Sequence, residues 1–203
     1  QEILTAIAAQ EKLTPELEKS INAAEKMQAL EDLYLPYRPK RRTRAQIARE
    51  NGLEPLAQLI EEQGKPALPL EQLAAMHIDE EKGIATVEDA WQGACDIVAE
   101  NISDSADVRK LLRKELQITG ELVSELIIDE KDAPEFLQYR DYSEPVRQLP
   151  PHRILAMNRG EDKKALKISL RCPDEKLIAK VAQKLNLKEQ SPFYTYYHNA
   201  LTD

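Results

Sequence analysis

Residues 30–57, LEDLYLPYRPKRRTRAQIARENGLEPLA, place six positive charges within twelve positions and no negative charge among them. These residues are Arg38, Lys40, Arg41, Arg42, Arg44 and Arg49. The whole chain of 203 residues has a formal net charge of −8, with 28 basic and 36 acidic side chains. Without the six, 22 basic residues face 36 acidic ones, a balance of −14. Such a concentration of positive charge in an acidic chain requires a physical explanation.

The second half of this stretch predicts two helices joined by a tight turn. Thr43 followed by Gln46 has the spacing of a capping box and predicts a helix start at Arg44. Asn51-Gly52 is a typical helix end, and a small Ala48 four residues before Gly52 is typical of a helix-turn-helix. The second helix, EPLAQLIEEQ, carries three glutamates and no basic residue. Phosphate would repel it, so we interpret this unit as a structural turn rather than a reader of DNA sequence.

Helical periodicity continues on both sides of the stretch. Thr14-Pro15 predicts a helix start, followed by one apolar stripe that ends at Pro36 and Pro39. The stripe consists of Leu17, Ile21, Ala24, Met27, Leu30 and Tyr34. Thr86 predicts the cap of a further strong helix, whose apolar side includes Trp91 and Cys95. We interpret these last two residues as core.

The pattern changes after residue 120. ELVSELII (121–128) fits a strand and a helix end about equally, and SEPVRQLPP (143–151) is typical of a linker because of its prolines. HRILAMNRG (152–160) predicts a short helix closed by Gly160, and ALKISLR (165–171) predicts a strand by its alternation. The predicted fold is mainly α: a multi-helix scaffold with a helix-turn-helix-like unit and at most a small β element near residues 165–171.

Composition limits the classes of protein. Hydrophobic residues make up 42% of the chain and charged residues 32%, which is typical of a globular chain with large solvated faces. No apolar run approaches the roughly 20 residues of a membrane span, and no signal peptide is evident. We therefore predict a cytoplasmic protein with no membrane partner. Because the chain starts at Gln1 inside an amphipathic run, we expect a fragment of a longer protein.

The basic segment is a candidate phosphate-binding surface, since clustered Arg and Lys neutralise phosphates and an adjacent tyrosine can stack on a base. The candidate nucleic-acid-binding residues are Tyr37, Arg38, Lys40, Arg41, Arg42 and Arg44. The alternative is that these charges pair with the excess carboxylates of the chain itself.

A second candidate lies in PPHRILAMNRGE, where His152 and Arg159 share one helix face at a spacing of seven residues. Together with Arg153 they could contact a ligand or a neighbouring domain. The alternative is that they fasten the helix to adjacent structure.

Catalysis finds little support in the sequence. The three histidines, His77, His152 and His198, are isolated, and no phosphate loop or nucleophile motif is present. Cys95 and Cys172 are far apart and lack metal-ligand spacing. We predict no enzyme activity, no metal and no cofactor.

The stretch 30–57 resembles the N-terminal region of the bacterial Tex family of RNA-binding transcriptional accessory proteins. ATVEDAWQGACDIVAENISDSADVRKLLRK and DYSEPVRQLPPHRILAMNRGE agree with that family, and the similarity covers most of residues 1–170. The resemblance implies a longer protein that contains an RNase H-like domain, helix-hairpin-helix elements and a C-terminal oligonucleotide-binding barrel. It implies two regions here: a helical one over 1–142, and an α/β-tinged continuation over 143–203 that leads toward the absent RNase H-like domain.

Two hypotheses of different classes follow. In the first, this region is the helical scaffold of an RNA-binding transcription accessory protein, and its basic segment makes weak, non-specific contacts with RNA or DNA. In the second, it is a structural adaptor that organises domains or binds proteins such as the transcription machinery, with no nucleic-acid contact. Exposure of the basic side chains would discriminate between them.

Overall fold

The structure is a computed structural model that describes residues 2–38 and 42–203. Three β-strands are present in those residues: β1 (Glu121–Leu126), β2 (Asp141–Pro145) and β3 (Leu166–Arg171). The α-helices of the same residues are α1 (Glu2–Ala8), α2 (Pro15–Asn22), α3 (Met27–Tyr34), α4 (Arg44–Glu50), α5 (Glu54–Glu62), α6 (Leu70–Ala75), α7 (Val87–Asp104), α8 (Ala106–Thr119), α9 (Pro151–Asp162), α10 (Asp174–Lys184) and α11 (Tyr194–Thr202). Short 3₁₀ turns lie at Leu35–Tyr37, Glu80–Lys82, Glu130–Asp132, Pro134–Tyr139 and Val146–Gln148.

The chain divides into two compact units, and the first comprises residues 1–109 and 180–203. Its central element is α7, which contacts α4, α5, α6 and α11. Trp91 of α7 is buried and stacks on Tyr196 of α11, with ring centroids 4.5 Å apart. Cys95 lies in the same core. The predicted core positions of this helix are therefore confirmed.

Side-chain caps fix where three of these helices begin. The hydroxyl of Thr14 accepts from the Leu17 amide at 3.2 Å, as its sequence pattern predicts. Thr86 and Asp89 form a complete capping box at the start of α7. At α4 only half of the predicted box is present. Thr43 accepts from the Gln46 amide, but the Gln46 side chain donates to Glu50 instead.

The predicted apolar stripe from Leu17 to Tyr34 does not lie on one continuous helix. The chain forms α2 and α3, separated by residues 23–26. α2 ends at Asn22, and asparagine is among the weaker helix formers because its side chain competes for backbone hydrogen bonds. The apolar stripe continues across the break, so the pattern alone suggested one continuous helix.

The second unit, residues 110–179, contains a small antiparallel sheet with strand order β2-β1-β3. Leu122 of β1 lies opposite Leu170 of β3 and Glu144 of β2. α9 and the turn Pro134–Tyr139 supply Met157 and Phe136 to the core of this unit. The fully buried Ser124 hydroxyl donates to the Tyr139 carbonyl at 2.6 Å, so the central strand leaves that hydroxyl satisfied.

The predicted fold class is confirmed: the protein is mainly α with a small β element that includes residues 166–171. The sequence did not identify the other two strands. β1 occupies the ambiguous run at 121–128, and β2 overlaps the segment 143–151 that was predicted to be a linker. Pro145 ends β2 on an outer strand of the sheet, where proline is tolerated. The division into 1–142 and 143–203 stays a prediction about the domains of the longer protein.

Gly160 does not end α9, contrary to its expected role, because the helix continues to Asp162. The glycine is needed for a close approach instead. A Cβ atom at this position would lie 2.5 Å from Leu166 Cδ1 and 2.7 Å from Leu166 Cγ, and Leu166 is buried. Glycine therefore sets how closely α9 packs on β3.

Gly160→Ala should lower the free energy of unfolding by about 1–3 kcal/mol, the usual cost of overpacking a core. Gly64→Ala is the matched control, because a Cβ atom there meets nothing within 4 Å. Urea denaturation of both variants followed by circular dichroism measures the difference. Equal stability of the two variants would contradict the close approach of α9 to Leu166.

Candidate nucleic-acid interface

Part of the predicted basic segment can be located in the structure. Lys40 and Arg41 lie outside the described residues. Tyr37 belongs to the 3₁₀ turn after α3 and is half-buried, and its carbonyl accepts a hydrogen bond from Gln10 Nε2 at 2.8 Å. Arg38 follows it and is exposed. Tyr37 thus joins the basic segment to the turn that follows α1.

Arg42 precedes α4 and pairs with the far end of the same helix. Its Nη2 lies 2.7 Å from Glu50 Oε2. The side chains of Arg42 and Glu50 are 66% and 46% exposed. Solvent screens an exposed pair of this kind, which typically contributes about 0–1 kcal/mol to stability.

Arg44 is the first residue of α4, and it connects that helix to two others. Its guanidinium pairs with Asp203, next to α11, and lies 3.7 Å from Asp96 Oδ1 on α7. Although Arg44 itself is 66% exposed, the Asp96 side chain is only 13% exposed. Arg44 therefore holds one largely buried carboxylate at the edge of the α7–α11 contact.

Arg49 has a different environment, because it lies between helices. It is 30% exposed, and its Nη1 lies 2.5 Å from Glu100, whose side chain is 17% exposed. A second nitrogen donates to Asn101 Oδ1 at 2.8 Å, and Asn101 donates onward to Glu61 of α5. Glu100 also accepts from the Thr43 hydroxyl at 2.9 Å. Arg49 consequently fastens α4 to α7.

The described arginines of the segment therefore differ in what they can do chemically. Arg42, and Arg44 on its Asp203 side, can exchange a carboxylate oxygen for a phosphate oxygen at the surface, where water can solvate the displaced Glu50 or Asp203. The contact of Arg44 with Asp96 differs, because that carboxylate is largely buried. Arg49 cannot leave Glu100 without depriving a largely buried carboxylate of its positively charged partner, which is costly. Neither Glu100 nor Asn101 was a predicted site residue. Both lie in the second half of α7, but the apolar periodicity of a helix does not show which neighbouring helix its polar residues contact.

The helix-turn-helix-like unit is present, with Gly52 at φ 83° between α4 and α5. Leu56, Ala57 and Ile60 of α5 are buried, and Glu54 and Glu62 are exposed. The outer surface of α5 is thus acidic. This arrangement agrees with the interpretation of the unit as a structural turn.

The structure separates the three candidate residues of α9. Arg153 is half-buried, and its Nη1 donates to Glu144 Oε2 at 2.7 Å and to the Tyr142 hydroxyl at 2.5 Å. The Tyr142 hydroxyl also donates to Glu144, and these bonds lower the pKa of the Glu144 carboxyl. Arg153 thus fastens α9 to β2. His152 and Arg159 are both exposed, and their role as an interdomain or ligand contact stays a prediction.

Groups suited to metal binding or nucleophilic catalysis are sparse in the part of the chain that the structure describes. No cluster of three His, Cys, Asp or Glu side chains capable of holding a metal is found there. Burial raises the pKa of the Cys95 thiol to about 12, so that it is protonated at neutral pH. Within the same residues, no helix has the length and apolar character needed to cross a membrane.

Comparison with known proteins gives a consistent set of relatives. Residues 65–199 match the family model described as Tex central region-like. The chain is 47% identical over 167 residues to Protein tex of Bordetella pertussis, covering 82% of this chain and 21% of that protein. It is 39% identical over 184 residues to transcriptional accessory protein Tex of Neisseria gonorrhoeae, covering 89% of this chain and 24% of the relative. It is 33% identical over 172 residues to human S1 RNA-binding domain-containing protein 1, covering 80% of this chain and 17% of that protein. The chain thus spans about a fifth of the length of these curated relatives.

Arg49→Gln should lower the free energy of unfolding by about 1–3 kcal/mol, because the largely buried Glu100 carboxylate loses its positively charged partner and keeps the Thr43 hydroxyl. Arg42→Gln removes the same charge from an exposed pair and should cost about 0–1 kcal/mol. Denaturant titration of both variants tests the difference. A smaller loss for Arg49→Gln than for Arg42→Gln would refute the structural role of Arg49.

Proposed function

Because the chain belongs to the Tex central region-like family, we propose that it is the helical scaffold of a nucleic-acid-binding transcription accessory protein. The names of the Neisseria and human relatives, which refer to transcription and to RNA binding, support this proposal. In it, the basic segment makes auxiliary, non-specific contacts with phosphates. The binding activity of the whole protein depends largely on regions outside this chain.

One observation carries the phosphate-contact part of the proposal. α4 is fastened to α7 by Arg49, while Arg42 and Arg44 at its start remain two-thirds exposed. Phosphates can therefore reach cations that a rigid helix presents. Their present partners are carboxylates, which bind arginine in the same geometry as phosphate oxygens.

The same pairs support a second candidate function, that of a structural adaptor. Arg44 joins α4 to α7 and to Asp203 beside α11, as expected of a residue that organises helices. In this function the segment would hold carboxylates permanently and would not contact nucleic acid. Loss of stability without loss of binding distinguishes the adaptor from the phosphate surface.

The remaining predictions belong to the same proposal. RNA and DNA bind weakly and without sequence preference, since the acidic α5 offers no base-reading surface. The region has no catalytic activity and needs no cofactor, in keeping with three histidines on separate segments, His77, His152 and His198. Cytoplasmic location and contact with the transcription machinery stay predictions.

Arg41→Gln, Arg42→Gln and Arg44→Gln combined should weaken binding of a single-stranded oligonucleotide. Each neutralised phosphate contributes about −0.7 to the slope of log affinity against log salt. The slope of the triple variant should therefore be less steep than that of the parent chain by about 2. Affinity of the parent chain should lie at about 10⁻⁴ to 10⁻⁶ M or weaker. Fluorescence anisotropy at several salt concentrations gives both quantities.

The matched control for this experiment combines Arg140→Gln, Arg147→Gln and Arg171→Gln. These three arginines are exposed, and their removal changes the net charge equally. Equal binding by both triple variants would exclude the segment as a phosphate surface. A loss of thermal stability confined to the Arg41, Arg42 and Arg44 variant, with binding intact, would establish the adaptor.

Glu50→Gln should strengthen oligonucleotide binding about two- to fivefold at low salt, because it frees Arg42 from a competing carboxylate. This gain corresponds to less than about 1 kcal/mol of binding free energy, as expected for an exposed ion pair. Glu130→Gln is the control, since Glu130 pairs with the exposed Arg140 and is itself exposed. The same anisotropy titration measures both variants. Equal affinities would show that Glu50 does not compete with phosphate.

A further inference from the structure

A second concentration of positive charge lies in residues 163–188. It contains eight basic side chains and two acidic ones, Asp174 and Glu175, a local balance of +6. All eight basic residues are exposed. They are Lys163, Lys164, Lys167, Arg171, Lys176, Lys180, Lys184 and Lys188. The excess equals that of the basic segment at 38–49, although it is spread over a longer stretch.

The end of this stretch borders an open cleft in the first unit. The cleft has a volume of about 730 Å³, and Lys65 and Lys188 both line it. Gln190 and Ser191 add polar side chains to its wall. Lys184, in the last turn of α10, is four residues before Lys188. The chain turns back between them at Asn186, which has φ 54°.

The backbone around the cleft is fixed by one buried side chain. Gln63 ends α5 in the left-handed conformation, and its Oε1 accepts from the Lys188 amide at 2.6 Å. Its Nε2 donates to the Asn186 carbonyl at 3.3 Å. These two bonds hold the loop that carries Lys188 beside the end of α5, two residues before Lys65. The cleft is therefore built by the fold rather than by two chance surface lysines.

The two lysines that line the cleft, Lys65 and Lys188, lack the carboxylate partners that the arginines of α4 have. Neither Lys65 nor Lys188 has an ion-pair partner among the residues that the structure describes. Lys184 lies 3.2 Å from Asp107, but both side chains are about half exposed or more, so this pair is weak. Lys184 also lies at the C-terminal end of α10, where the helix dipole favours a positive charge, so helix stability alone explains its presence. Lys65 and Lys188 lie outside the helices, so helix stability does not explain their charges.

We propose that Lys65 and Lys188 form a second phosphate-binding surface for the backbone of single-stranded nucleic acid, here called the lysine cleft. The proposal rests on the nucleic-acid-binding function proposed above, but not on the basic segment at 38–49. Its cations are available without displacing a strong partner. Phosphates bound there would gain the full attraction of two unpartnered ammonium groups.

The lining of the cleft favours a nucleic-acid backbone over an acidic protein. Protein interfaces depend on aromatic or large apolar anchors in central pockets, and the cleft is lined by polar and charged side chains with Pro192. Lysine acts as a flexible point charge, which suits contact with phosphates but not the reading of bases. Glu189 is the one acidic residue of the lining and opposes an anion there. It provides a second, independent test.

The test compares the 203-residue chain with two double variants in anisotropy titrations of a single-stranded oligonucleotide. Lys65→Gln and Lys188→Gln combined should weaken binding about fivefold at low salt and make the salt slope less steep by about 1.4. Lys12→Gln and Lys19→Gln combined change the net charge equally at exposed positions and should weaken binding less than about twofold by the long-range field alone. Glu189→Gln should strengthen binding about twofold by removing a like charge from the site.

Equal binding by the two double variants overturns the lysine cleft, as does the absence of any oligonucleotide binding by the parent chain. Unchanged affinity of Glu189→Gln also counts against it. The Arg41, Arg42 and Arg44 variant separates the two proposals. If that variant binds like the parent while the lysine variant fails, the basic segment is excluded and the cleft is supported. Thermal unfolding of each variant checks that loss of binding is not loss of the fold.

Discussion

The close approach of the α4–α5 turn to α7 is the constraint on which the first unit depends. A Cβ atom on Gly93 of α7 would lie 2.3 Å from Leu53 Cδ1 and 3.3 Å from Ala48 Cβ. The absence of a side chain at Gly93 lets Leu53, which is buried, pack directly against the helix backbone. The same approach brings Arg49 within reach of Glu100, about two turns further along α7. Apolar packing therefore sets the distance, and the ion pair follows from it.

The electrostatics of α4 show why its positive charges need a reason beyond helix stability. Arg42 and Arg44 lie at the start of the helix, where the dipole is positive and disfavours cations. Arg49 lies in the last turn, where the dipole favours it. Charges placed only to stabilise α4 would avoid its first turn. Carboxylates of other elements, Asp96 and Asp203, compensate Arg44 at that end.

Much of the helical scaffold could be predicted from the sequence, because caps and apolar stripes are local signals. Thr14, Thr86 and the turn at Gly52 have the predicted roles. The strands β1 and β2 could not be predicted, since a short central strand buried on both sides and an outer strand ending in proline lack clean alternation. Gly160 was misread because a glycine that ends a helix and one that admits a neighbouring side chain look alike in sequence.

The candidate site was harder to predict than the fold for a related reason. A run of arginines shows where positive charge lies, but not which carboxylates the fold brings to it. Glu50 is eight residues from Arg42, whereas Asp96 and Asp203 are far from Arg44 in sequence, and only the packing of α4, α7 and α11 reveals those partners.

The density of charge in the sequence is therefore a poor guide to the charge that a polyanion can use. What matters is the free energy needed to remove the present carboxylate partner from each cation. That cost is high for Arg49, small for the exposed pair of Arg42, larger for Arg44 because it also contacts the largely buried Asp96, and close to zero for lysines without a partner. By this criterion Lys65 and Lys188 are at least as accessible to phosphate as the described arginines of the dense run, although the sequence draws attention to the latter.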